Sequence, residues 1–229
     1  MRAPPLLELN SVNKCYRTPA GNVEALHALD LAMHAGEFVA VTGPSGSGKS
    51  TLLNLATLLD RPTRGSIRFA NVDTDSLSEQ DRGELRKHSV SVIFQNYHLL
   101  PDRTVLENVL FRFRYMDTPL SEATLAAHRA LELTGLTGLA QRPARLLSGG
   151  EMQRTAIARA VAVPLRLLAA DEPTGNLDAE SATQVMRCLA ELNRGGTAIL
   201  LVTHDLSLLR HTSRHIAFRH GQIEHDRAL

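Results

Sequence analysis

Cysteine occurs only twice in the 229 residues, at Cys15 and Cys188. Two thiols so far apart supply neither a disulfide framework nor the close spacing of a metal-ligand set, so they are expected to be reduced and structural. No run of about 18 apolar residues is present, which excludes a membrane-crossing helix. Membrane attachment must then come from another chain. The opening residues Met1-Arg2-Ala3-Pro4-Pro5 lack the apolar core of a secretory leader. Strong charge of either sign is missing too. The 25 Lys and Arg against 24 Asp and Glu leave a formal net charge of +1, so no nucleic-acid partner is expected. There is no internal repeat and no low-complexity tail. The length suits one large α/β domain with room for a subdomain.

Against these absences, one segment stands out: Gly43-Pro44-Ser45-Gly46-Ser47-Gly48-Lys49-Ser50-Thr51. It satisfies G-x-x-x-x-G-K-[ST], a phosphate cradle. Gly43, Gly46 and Gly48 allow backbone conformations closed to other residues, so successive N–H groups can turn toward one anion. Lys49 opens a helix whose positive dipole end faces the phosphates, and its ammonium can reach the β and γ oxygens. The Ser50 hydroxyl can ligate Mg²⁺. The preceding run Glu37 to Thr42 reads as a buried strand and the following run Leu52 to Ala56 as a buried helix, the context the motif requires. A dinucleotide fingerprint fails, because the sixth position after Gly46 and Gly48 is Thr51.

Hydrolysis of a nucleoside triphosphate also needs a carboxylate for magnesium and a group to orient water. The run Leu167-Leu168-Ala169-Ala170-Asp171-Glu172-Pro173 reads as a second buried strand ending in two acids. Asp171 is expected in the magnesium shell, directly or through water. Glu172, pointing to the other face, is positioned to polarise a water near the γ-phosphate. The competing reading is a plain acidic turn before Pro173. A third apolar strand, Ala198 to Val202, leads to His204, whose imidazole can hydrogen-bond the γ-phosphate. His211, His215, His220 and His225 read as surface or packing residues.

A second cluster, Leu147-Ser148-Gly149-Gly150-Glu151-Met152-Gln153-Arg154, contains the capping box Ser148-x-x-Glu151, which by itself announces an ordinary helix start. Two glycines in a first turn are poor helix formers, however, and make sense where something approaches the backbone closely. At a helix N-terminus beside a serine hydroxyl, an anion is the natural visitor. One chain needs one cradle per nucleotide. A second phosphate-gripping element suggests that each copy binds ATP with one face and touches a partner copy's ATP with the other.

Taken in order, these segments resemble the nucleotide-binding subunit of an ATP-binding-cassette (ABC) transporter. Walker A lies at 43–51, the glutamine loop at Gln95, the signature at 147–154, Walker B at 167–172, the D-loop at Gly175-Asn176-Leu177-Asp178 and the switch histidine at His204. The resemblance spans essentially the whole chain. It implies a P-loop NTPase fold, a RecA-like parallel sheet with an antiparallel β subdomain and an inserted helical subdomain over about 96–165, in one domain covering 1–229. It implies ATP and Mg²⁺ as ligands and two chains packed head to tail around two ATP molecules. Each site takes Walker A (Gly43, Pro44, Ser45, Gly46, Ser47, Gly48, Lys49, Ser50, Thr51) from one protomer. From the other it takes the signature residues Ser148, Gly149, Gly150 and Gln153, with Asp178 in the D-loop. Tyr16 falls where the family places an aromatic that stacks on adenine. Gln95 joins Ser50 and Asp171 in the magnesium shell and senses a membrane permease, while Glu172 and His204 carry the chemistry. The subunit would then sit peripherally on the cytoplasmic face of the inner membrane.

Narrower similarity to the macrolide-export and lipoprotein-release group (MacB/LolD type) rests on Ala170 to Asp178, Leu59-Asp60-Arg61-Pro62-Thr63 and Val23-Glu24-Ala25-Leu26. The stretch His98 to Val105 also resembles the cell-division ATPase. That leaves two alternatives to a transport motor: an ATP-gated regulatory module of a membrane complex, and a soluble ABC protein of repair or translation. The last usually carries a coiled-coil insertion or two cassettes, and neither is present.

A coarse reading gives antiparallel strands over 6–33 with a turn near Pro19-Ala20-Gly21-Asn22. It continues with a helix over 78–87, a strand over 90–94, mostly helix over 105–163, then alternation ending in a short strand near 216–218. The apolar bulk of Asn96 to Pro101 predicts a groove for the permease beside Gln95, lined by Tyr97, Leu99, Leu100 and the start of the helical insert; the alternative is that these side chains fill the local core.

Overall fold

A computed structural model describes residues 4–19 and 21–229. Along the chain, β1 (Leu7–Thr18) and β2 (Gly21–Met33) form a hairpin, and β3 (Phe38–Thr42) leads into α1 (Lys49–Ala56). Next come β4 (Arg64–Phe69), β5 (Val72–Asp73), α2 (Glu79–Ser89) and β6 (Val90–Ile93). Three helices follow, α3 (Val105–Leu110), α4 (Leu120–Leu133) and α5 (Gly149–Val161). The chain then alternates through β7 (Leu167–Asp171), α6 (Ala179–Arg194) and β8 (Ala198–Val202), and closes with β9 (Arg214–Arg219) and β10 (Gln222–Ala228).

Two sheets result. An antiparallel one has the order β2-β1-β4-β5, and a six-stranded one the order β10-β9-β3-β8-β7-β6. Within the larger sheet β9, β3, β8, β7 and β6 run parallel, with β10 antiparallel at the edge. Strands covered on both faces are apolar at every position, which is why β3, β7 and β8 appear in the sequence as unbroken hydrophobic runs. Alternate residues go to opposite sides. Leu167, Ala169, Ala198, Leu200 and Val202 join the core shared with α1 and the antiparallel sheet. Leu168, Ala170, Ile199 and Leu201 pack with Val185, Met186 and Leu189 of α6. A third core, built from Val105, Val109, Ala127, Leu131, Leu136 and Leu147, belongs to the helices α3 to α5.

The parallel order puts the carboxyl ends of β3, β8, β7 and β6 in one row. The cradle, His204, Asp171 with Glu172, and Gln95 follow those four ends, along the edge where open α/β sheets bind ligands. Two local expectations need correction, and one touches a residue that is not described. The final strand near 216–218 is a full hairpin of β9 and β10, turned at His220-Gly221, whose φ angles of 49° and 73° both lie in the left-handed region. The strand expected to reach Phe94 ends at Ile93. The β1–β2 turn includes Ala20, which lies outside the described residues.

Candidate functional site

α1 begins without a capping side chain. Its N-cap is Gly48, no acidic residue occupies its first turn, and no side chain satisfies its leading amides. Gly48 has φ of 103°, and a Cβ there would sit 2.5 Å from the Ala25 carbonyl oxygen, so conformation and packing both demand glycine. A helix that leaves its N-terminal N–H groups and dipole uncompensated is a place for an anion. Lys49 folds back over the loop, its Nζ donating to the carbonyls of Gly43 and Pro44 at 2.8 Å each. The ammonium is therefore held at the cradle mouth. Ser47 is buried, and its Oγ has no hydrogen-bond partner.

Across the sheet edge, Ser50 Oγ lies 3.5 Å from Asp171 Oδ2. Burial, and then the neighbouring Glu172 charge, push the Asp171 carboxyl up, against the opposing pull of Ser50 and Lys49. Glu172 steps off the strand with φ of 46°, a strained conformation for a side-chain-bearing residue. Its amide remains tied to the Val202 carbonyl at 2.9 Å. That twist turns its carboxylate toward β8. There Oε1 lies 2.8 Å from His204 Nδ1, and Oε2 accepts from the Thr203 hydroxyl at 3.2 Å. His204 is 72% exposed at its side chain, whereas Glu172 is 16% exposed. A shielded carboxylate held by an exposed imidazole can accept a proton from water and hand it outward.

On β1, Tyr16 donates its hydroxyl to Asp60 Oδ2 at 3.0 Å. The Lys14 ammonium stands 4.9 Å from the centre of the Tyr16 ring and donates to Asp60 Oδ1 at 2.6 Å. One face of the ring is thus taken by a cation, and the hydroxyl is committed. Burial raises the Asp60 carboxyl, but Lys14, the Arg61 amide and Tyr16 outweigh it and hold the group below its usual range.

Gln95 is exposed, and its Nε2 lies 3.7 Å from where a Cβ of Gly175 would stand, beside the turn that follows Glu172. Ser148 caps α5 in a full capping box. Its Oγ accepts from the Glu151 amide at 3.3 Å, and the Glu151 carboxylate accepts from the Ser148 amide at 2.8 Å. Ser148 itself is exposed.

Several expected roles change in detail. Gln153 is 1% exposed and donates to the Pro173 carbonyl at 2.9 Å, so it supports Walker B of its own chain and cannot reach a partner's nucleotide. Gly150 is buried against α6, where a Cβ would lie 2.6 Å from Ser181 Cβ. Its glycine is required by packing within the chain. Asp178 caps α6, accepting from the Ser181 amide at 2.9 Å, which holds its carboxyl low. Of the residues expected in a docking groove, Leu100 lines a cavity of about 540 Å³ with Pro101 and with Glu107, Leu110 and Phe111 from the start of the helical insert. Tyr97 and Leu99 do not line it: Leu99 packs into the helical core, and the Tyr97 hydroxyl lies 3.2 Å from the Cβ position of Gly149. A second cavity, of about 430 Å³, lies between α2, β6 and the α3 region, lined by Leu59, Gly83, Arg86, Phe94, Arg112 and Tyr115 among others. Thr203 and Asp60 were not singled out for roles. The first precedes the switch histidine, and the second sits inside the Leu59–Thr63 run, so proximity to a motif was the available signal.

A glycine cradle at an uncapped helix start, facing a magnesium-type carboxylate and a held glutamate, defines a P-loop nucleoside triphosphatase. A family model described as ABC transporter matches residues 26–175. The chain is 43% identical over 98% of its length to the lipoprotein-releasing system ATP-binding protein LolD of Anaeromyxobacter dehalogenans, covering 95% of that protein. It is 44% identical over 99% of its length to the pyoverdine export ATP-binding/permease protein PvdT of Pseudomonas putida. It is 40% identical over 97% to the macrolide export ATP-binding/permease protein MacB 2 of Aeromonas hydrophila. The chain spans only about a third of those last two proteins, 35% and 34%. Among solved structures, the dimeric post-hydrolysis state of the cassette MJ0796 with ADP and Pi superposes with a TM-score of 0.89 at 35% identity, covering 97% of this chain and 98% of that one. The chain belongs to the ABC transporter family. Within it, this is an ATP-binding cassette, an ATPase.

Proposed function

We propose that this chain is the ATP-hydrolysing subunit that drives a separate membrane permease of the MacB/LolD type, working as a head-to-tail pair. The observation that carries the reading is the Glu172 carboxylate, turned out of β7 by a left-handed backbone and held between Thr203 and His204. In this reading the amides of the 43–51 loop and Lys49 hold the β and γ phosphates, and Tyr16 offers its free face to the adenine. Glu172 takes the proton of the attacking water, and His204 fixes the carboxylate and the γ-phosphate. Ser148 and Gly149 close over the phosphate of a second copy.

Among the described residues no cluster of three His, Cys, Asp or Glu could hold a metal. That fits Mg²⁺, which keeps several waters and takes phosphate oxygens beside one or two protein groups. Ser50 and Asp171, 3.5 Å apart, supply those groups, with Gln95 as the third ligand expected from the glutamine loop. A bound Mg²⁺ would neutralise charge developing on the phosphates.

No helix among the described residues is long and apolar enough to cross a membrane. A short amphipathic helix of the permease would dock at the cavity flanked by the exposed Phe94 and Tyr115. The subunit would be held there, on the cytoplasmic face of the inner membrane. Replacing Glu172 by Gln is expected to leave Mg·ATP binding intact and slow turnover by about 10²–10⁴-fold, the usual contribution of a general base. Near-normal turnover in that variant would remove Glu172 from its role.

A further inference from the structure

A half-buried guanidinium without a carboxylate needs a reason. Arg159 lies on the C-terminal half of α5 and forms no salt bridge among the described residues; burial pulls its pKa down. Its Nη1 donates to the His98 carbonyl at 2.6 Å and its Nη2 to the Tyr97 carbonyl at 3.0 Å. Two parallel donors on two consecutive carbonyls form a rigid fork, which an ammonium cannot reproduce. The backbone it grips is strained, with His98 at φ of 47°. The gripped segment is anchored once more: the His98 ring meets Phe94 edge to face with centroids 5.5 Å apart. Phe94 lines the cavity beside β6 and is 39% exposed.

These contacts make one continuous piece. It runs from Phe94 at the cavity, through His98 and Tyr97, into Arg159, and along about 16 Å of helix to Ser148. We propose that Arg159 is a positioning residue that locks the segment after Gln95 to the signature helix, so that Phe94, Gln95 and Ser148 move together. Phe94, Gln95 and Asn96, all exposed, link the clamped pair to β6, which also meets α5 through the Ser91 hydroxyl donating to the Ala160 carbonyl at 3.0 Å. A push on Phe94 then displaces Ser148, and closure of Ser148 on a partner displaces Gln95. The inference rests on the composite-site reading above, and its test separates the two.

Arg159→Ala is placed in the Glu172→Gln background, and ATP-dependent dimerisation is followed by sedimentation. The expected result is unchanged ATP affinity of the monomer and an ATP requirement for dimerisation raised about tenfold or more, the scale of losing a pair of charge-assisted hydrogen bonds. Amides 97–100 should exchange faster with deuterium. Arg159→Lys, which keeps the charge without the fork, should fall between. Ser148→Arg in the same background is the control. If that control still dimerises with ATP, the composite site is wrong whatever Arg159 does. If the control behaves and Arg159→Ala dimerises like its parent, the clamp is wrong. Loss of folding in both Arg159 variants would reduce the residue to a structural role and equally overturn the proposal.

Discussion

Asp171 and Glu172 are adjacent in sequence yet face different tasks, because the backbone turns between them. Asp171 ends β7 next to Ser50, partly buried and crowded by the next carboxylate. Its folded pKa is raised above the unfolded value. In such a case the native state binds the extra proton in the window between the two values, and stability falls as pH rises through it. At neutral pH the ionised Asp171 therefore costs stability in the nucleotide-free protein. Asp171→Asn should raise Tm by a few degrees, about 2–4 °C per kcal/mol in a chain of this size, while removing Mg-dependent turnover. Calorimetry without nucleotide checks it, and an unchanged or lowered Tm would mean the carboxylate is not crowded. At this scale the sequence was legible wherever the chemistry is contiguous. The 43–51 cradle, the acid pair and His204 each occupy one short stretch. It was illegible where partners are far apart: Lys14 and Asp60 are 46 positions apart, and Arg159 and His98 are 61. Gln153 misled because a motif gives spacing but not helix phase, and its phase points it inward at Pro173.

At the scale of elements, α1 and α5 both begin beside glycine, but for different reasons. α1 starts without a cap, and its loop glycines serve the exposed anion site. α5 starts with a complete capping box, which takes up the Ser148 and Glu151 amides. Gly150 is required because α6 comes close at Ser181. Gly150→Ala should accordingly destabilise the nucleotide-free protein by about 1–3 kcal/mol, the usual cost of overpacking. Gly149→Ala should cost less, because its nearest neighbour is the movable end of Tyr97, 3.2 Å away. Urea melts of the two variants decide this; equal, small losses would leave Gly150 free for an anion after all. Strands were easy to read from their apolar runs. The β9–β10 hairpin was shortened because β10, Gln222-Ile223-Glu224-His225-Asp226-Arg227-Ala228, is polar and mostly exposed at the sheet edge. A polar edge strand shows little hydrophobic period, and the Arg214–Asp226 ion pair at 2.6 Å that ties it to β9 cannot be seen from either residue alone.

Over the whole molecule, one core covers each face of the larger sheet and a third lies within the helices, and the functional groups lie along one row of strand ends. The cavity proposed for the permease is lined by Val90, Val92 and Phe94. Tyr115, 71% exposed at its rim, supports no core. Tyr115→Asp should abolish co-purification with the permease while leaving ATP binding intact; retained assembly would move the interface elsewhere. The central claim is that Walker A of one copy and the Ser148 turn of another share an ATP molecule. Sedimentation of the Glu172→Gln protein with and without Mg·ATP tests it most directly. The account predicts a monomer without nucleotide and a stable dimer with it, abolished by adding Ser148→Arg. A protein that binds ATP fully and stays monomeric would contradict it.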